Sequence, residues 1–108
     1  MRPVTLTAAL LGAADTGAFL ARRPQLFREA PSRAWGSTAF LGAWLALAAA
    51  AASGGGRSRA ATVGLAGVLG VGNAAMLAAH VRAGVLTPRV FATAGVSGAA
   101  MAGALAGR

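Results

Sequence analysis

Asp15 is the only acid in an apolar run covering residues 4–21, and Glu29 is the only other acid in the chain. A carboxylate inside a lipid-spanning helix is costly to hold, so it marks a polar contact, a ligand site or a proton-coupling site. If substrate and proton compete for that carboxylate, the chemistry is proton-coupled transport with alternating access. If the carboxylate finds a donor instead, it fixes helix packing, with Asn73 and Thr62 as the candidate partners. Thr16 adjoins it. Asn73 and His80 are seven residues apart and face broadly the same side of one helix. There they would line a wet path or bind a polar ligand; the plainer reading has Asn73 joining two helices and His80 meeting water, a headgroup or a carbonyl. Asp15, Thr16, Asn73 and His80 are therefore the candidate polar or proton-coupling site.

Other chemistries find no support in the residues. No serine–histidine–acid arrangement is apparent, and Gly54-Gly55-Gly56 lacks the Lys-Ser/Thr ending and strand context of a phosphate loop. The chain has one histidine and no cysteine, which excludes a multi-histidine or thiolate metal site and a bis-histidine haem within one chain. No residue is assigned a catalytic role, and the residues leave any cofactor unknown.

The elements that must position these residues follow from composition. Of the 108 residues, 56% are hydrophobic and 11% charged, the latter less than half of the roughly 25% usual in soluble domains. The apolar residues come in long blocks rather than single-face stripes, the pattern that lipid solvates. The spacing predicts an all-α polytopic membrane protein: a single domain with four transmembrane helices, over 3–21, 33–52, 60–81 and 88–107, packed as an antiparallel bundle. The first block is read as a retained span rather than a signal peptide, because bulky residues surround any candidate cleavage point and three comparable blocks follow. Pro24 stops the first helix, Ser53-Gly54-Gly55-Gly56 makes a tight hairpin, and Thr87-Pro88 starts the fourth helix.

The net charge of +8 is carried entirely by ten arginines. They lie between the apolar blocks, not on a basic face with interleaved aromatics, so no nucleic-acid partner is expected. Arg22, Arg23, Arg33, Arg82 and Arg89, with Trp35, suit the interface and lipid headgroups. Arg33, Arg82 and Arg89 would form an anion or headgroup clamp if that face folds together. Glu29 is expected to pair with the arginines near it. The first and third connections carry six arginines and the remaining segments four. That bias places both termini outside and the two richer connections in the cytoplasm, and leaves the opposite or a dual orientation open.

Small residues recur every four positions: Gly95, Ala99, Gly103 and Gly107 in the fourth span, and Ala66, Gly70, Ala74 and Ala78 in the third, which also holds Gly64 and Gly67. Such rows let another backbone approach closely. They suit packing within the bundle and pairing with another chain, so the expected partners are membrane lipids and a second copy or a larger membrane-protein complex. The expected location is the cytoplasmic membrane of a bacterium.

Four spans, about one hundred residues and an acid in the first span resemble the small multidrug resistance transporters. That family carries a membrane-embedded glutamate in the first helix and works as dimers, and Asp15 is the position onto which the glutamate maps. Here the residue is aspartate, and the family's aromatic-rich lining is missing: Trp35 and Trp44 lie in the second span, and the third is rich in glycine. The stretch Pro24-Gln25-Leu26-Phe27, then Arg33-Ala34-Trp35-Gly36 and Gly42, resembles small four-helix proteins of the DoxX-like kind. That resemblance implies a link to membrane redox partners and transfers no catalytic residue. The functional expectation is an accessory or scaffolding membrane subunit, with a proton-coupled transporter using Asp15 as the alternative. A lipid- or quinone-handling enzyme subunit is the third.

Overall fold

Proline opens three of the four long helices in the computed structural model, which describes residues 2–53 and 55–108. Pro3, Pro31 and Pro88 each stand where a helix leaves its first N–H groups unpaired, so the missing donor costs nothing and the fixed φ suits the helix. The elements are α1 (Pro3–Arg22), α2 (Leu26–Glu29), α3 (Pro31–Ala52), α4 (Gly56–Ala83) and α5 (Pro88–Ala106). The last two end on Gly84 and Gly107, with φ of 69° and 72°. Their N–H groups turn back to helix carbonyls, a left-handed cap that a side chain would strain.

α1, α3, α4 and α5 are long and apolar enough to cross a membrane, with mean hydropathy of 1.5, 1.4, 1.6 and 1.2 over their best windows. Only 22–28% of each window is buried, so most of every helix faces outward, an arrangement lipid tolerates and water does not. The chain is an integral, multi-pass, all-α membrane protein. α1 packs on α3 and α5, and α4 packs on the same two, so α1 and α4 lie on a diagonal. Short connections make each neighbouring pair antiparallel.

The observed spans differ from the expected ones mainly in α4. It starts four residues earlier than expected and takes in Arg57 and Arg59, because arginine is a good helix former and Gly55, at φ 104°, already makes the turn. Gly54 of the expected hairpin lies outside the described residues. At 28 residues, α4 would be about 42 Å long, well beyond a ~30 Å hydrocarbon core. α3 starts at Pro31 rather than 33, and the first connection contains the one-turn helix α2, packed on α3 through buried Leu26.

The core is built from small residues around a few large ones. Trp44, Leu47 and Leu69 are essentially fully buried among Ala9, Ala66, Ala100 and Ala104. Helices meet closely at three glycines. A Cβ at Gly12 would overlap the Trp44 indole, and one at Gly72 would overlap the Phe40 ring. At Gly103 it would lie 2.7 Å from Thr5 Oγ1. Elsewhere the small-residue rows mostly face outward, with Ala66 the buried exception. Gly64, Gly95 and Ala99 are exposed, and a Cβ at either glycine would meet no atom within 4 Å. Gly67 and Gly70 are half-buried, and a Cβ there would touch only the Met101 methyl, at 3.6 and 3.9 Å.

At one end of the bundle, Arg2 locks the α3–α4 hairpin. Its guanidinium donates to Ser58 Oγ at 2.7 Å, to the Ser53 carbonyl at 3.2 Å and to the Gly55 carbonyl at 3.3 Å. Thr5 ties the same end to α5, its Oγ1 donating to the Arg108 carbonyl at 2.7 Å. The opposite end, where α1 and α4 finish and α3 and α5 begin, is not closed in this way.

Candidate functional site

At that second end the four long helices enclose a cavity of about 570 Å³, within the roughly 300–1,000 Å³ usual for small-molecule and cofactor sites. Each helix contributes one stripe. α3 presents Arg33, Ser37, Phe40 and Trp44, spaced four, three and four residues apart, which is one face of a helix. α5 presents Arg89 and Thr93; one turn deeper, Ser97 continues the row into the core. α4 supplies Asn73, Met76 and His80, and α1 supplies Asp15, Thr16 and Phe19. The four residues singled out as a polar site thus share one cavity, together with two of the three clamp arginines. Arg82 is exposed and does not line it.

Asp15 does not bond to Asn73 or Thr62. Its partner is Arg89, which approaches side-on: Nε donates to Oδ1 and Nη2 to Oδ2, each at 3.3 Å. Thr93 Oγ1 stands 3.5 Å from Oδ2 and also donates to the Arg89 carbonyl at 2.9 Å. The Arg89 guanidinium lies 4.5 Å from the centroid of the Phe19 ring, an attractive cation–π distance. Both partners are substantially exposed, the Arg89 side chain at 50% and Asp15 at 41%. Asp15 sits seven residues before the end of α1, about 10 Å inside the helix end. The second residue of α5 reaches it because an arginine side chain is long.

Asn73 is buried and joins α4 to α5: its Nδ2 donates to the Leu69 carbonyl at 3.0 Å and to Ser97 Oγ. Thr62 turns back on its own helix, donating to the Ser58 carbonyl at 2.6 Å. His80 Nδ1 is 2.7 Å from the Met76 carbonyl; a carbonyl only accepts, so that nitrogen carries the proton and Nε2 is the other ring position. Thr16 is half-buried on the wall. Among the described residues, every buried side-chain polar atom has a hydrogen-bond partner. The deep wall is therefore a satisfied network, whereas the mouth carries the charges.

The interfacial candidates sit around that mouth. Arg22 and Arg23 are exposed at the end of α1, with the Arg23 guanidinium 5.6 Å from the Phe19 ring centroid. Trp35 is 64% exposed and meets Phe27 edge-on at 5.2 Å. Glu29 is exposed and makes no ion pair; among the described residues the only one is Asp15–Arg89. A solvated surface pair gains little, so nothing draws Glu29 to its neighbours.

Thr93 and Ser97, to which the sequence alone assigns no role, stand in one row with Arg89. Their spacing of four carries the signal: it puts an otherwise apolar helix's polar groups on one stripe. No family model, curated protein or solved structure matches this chain.

Proposed function

We propose that this protein is a small accessory subunit of the membrane that holds an amphipathic ligand, of the lipid or quinone class, in the end-open cavity. The observation that carries this reading is the convergence of one stripe from each spanning helix on a single space, polar at its mouth and aromatic at its floor. A mouth with Arg33, Arg89 and Asp15 suits a polar head; Phe40, Trp44 and Met76 suit an apolar tail. The outward-facing small-residue rows on α4 and α5 support docking against a second copy or a larger complex. The arginine count favours the cavity end in the cytoplasm of a bacterial cytoplasmic membrane.

Transport through Asp15 is the second reading, favoured by the carboxylate lining the cavity. Against it, Arg89 already compensates that charge, and the path beyond the floor is filled by Trp44 on Gly12 and Phe40 on Gly72. Alternating access would require those contacts to repack.

Gly36 provides the test, because it lines the cavity and a Cβ there meets nothing within 4 Å. Gly36→Trp should fill the space without disturbing the bundle. Protein purified in mild detergent and extracted for mass spectrometry should carry a bound amphiphile in near-stoichiometric amount, and the Gly36→Trp variant should lose it. Equal retention by both, or an empty wild-type protein, would contradict the proposal.

A further inference from the structure

The charges at the cavity mouth do not balance. Two guanidiniums, Arg33 and Arg89, line it against a single carboxylate, Asp15. Arg33 is exposed and, among the described residues, has no ion-pair partner. The Asp15–Arg89 bonds are 3.3 Å each, well beyond the roughly 2.7–2.9 Å of strong charge-assisted bonds, and both side chains are about half exposed. Such a pair is loose and open to exchange. Arg89 is also steadied without Asp15, by the Phe19 ring beneath it.

We propose that the cavity selects amphiphiles with an anionic oxygen head, phosphate or carboxylate, held between Arg33 and Arg89, and that Asp15 is the internal anion the head displaces from Arg89. This deepens the ligand-holding function and rests on it. Arginine is suited to the task because its planar fork binds two oxygens of one oxyanion at once. Asp15 then acts as a specificity residue. With no ligand it neutralises Arg89; against a neutral head it keeps its partner, and only an oxyanion competes for the fork. A cation-binding or proton-coupled site would use Asp15 in the opposite sense, since there the carboxylate itself receives the ligand.

The two tryptophans give a direct readout. Trp44 lines the cavity floor, whereas Trp35 stands outside it, so a Trp35→Phe chain reports through Trp44 alone. The full chain in dodecyl maltoside is titrated with phosphatidylglycerol or phosphatidylcholine carrying the same dibrominated acyl chains, and Trp44 quenching is recorded. Saturable quenching at lower mole fraction of the anionic lipid is expected. Arg33→Gln and Arg89→Gln should each weaken that preference by about tenfold or more, and Asp15→Asn should strengthen it about two- to fivefold. Arg33 makes no ion pair, so its variant keeps the test valid if the others fail to fold. Inorganic phosphate at millimolar concentration separates the sources: if it leaves the quenching unchanged the occupant is a lipid headgroup, and if it abolishes the preference the site takes a free oxyanion. Equal saturable quenching by both lipids would overturn the anionic selectivity while leaving ligand holding intact. Weakened binding in Asp15→Asn would overturn the displacement step. Absence of any saturable quenching would overturn both the selectivity and the ligand-holding reading.

Discussion

Asp15 illustrates how much a single residue can and cannot disclose. Its cost in lipid made it conspicuous, and it does line the cavity, yet its partner lies 74 residues away on α5. Arg89 suits an interfacial anchor because it flanks the last connection; the pairing of α1 with α5 is what sets its side chain against Asp15. The glycines divide in the same way. Spacing points to Gly95 and Gly103, of which Gly95 is exposed and Gly103 lies against Thr5, while Gly12 and Gly72, outside the rows read from the sequence, lie under aromatic rings. What distinguishes them is the residue opposite, which lies on another helix. Gly12→Leu should therefore destabilise the folded protein by about 1–3 kcal/mol through overpacking against Trp44, whereas Gly64→Leu, with open space around it, should stay within about 0.5 kcal/mol. Reversible unfolding of both variants in the same detergent measures the contrast.

Among the elements, the helices were legible and their ends less so. Apolar blocks bounded by proline, glycine and arginine locate α1, α3, α4 and α5, because lipid forces every spanning segment to satisfy its own backbone. The boundaries shifted where arginine continues a helix, as at Arg57 and Arg59, and where proline starts one, as at Pro31. The short α2 reads only as a connection, because one turn leaves no periodicity to follow. Nor does the sequence disclose the Arg2 lock, whose acceptors include two backbone carbonyls, of Ser53 and Gly55, invisible to residue type. Arg2→Ala should release the hairpin and cost about 1–3 kcal/mol. Hydrogen exchange at the amides around Ser53 and Gly55 should speed up, while those of the α4–α5 connection, at the other end, stay unchanged. Uniform acceleration at both ends would show that Arg2 has no local role.

At the scale of the whole molecule, the bundle is asymmetric along its axis. One end is knitted by Arg2, Thr5 and the α3–α4 turn; the other, whose connections hold six of the ten arginines, opens into a cavity lined by Arg33 and Arg89. The clustering of arginines was readable from the sequence, but the cavity was not, since it is made by four stripes that only the helix order brings face to face. The stripe Arg89–Thr93–Ser97 was its best available sign. The central claim, that this space holds a ligand, requires it to open at the arginine-rich end alone. The chain has no cysteine, so a single introduced thiol reports accessibility without background. Ser37→Cys on the cavity wall should react with a charged, membrane-impermeant methanethiosulfonate in vesicles exposing the arginine-rich end. It should not react in vesicles of the opposite orientation, and Thr62→Cys, at a position with 0% exposure, should react in neither. Reaction of Ser37→Cys from the opposite face, or inertness equal to that of Thr62→Cys, would contradict the account.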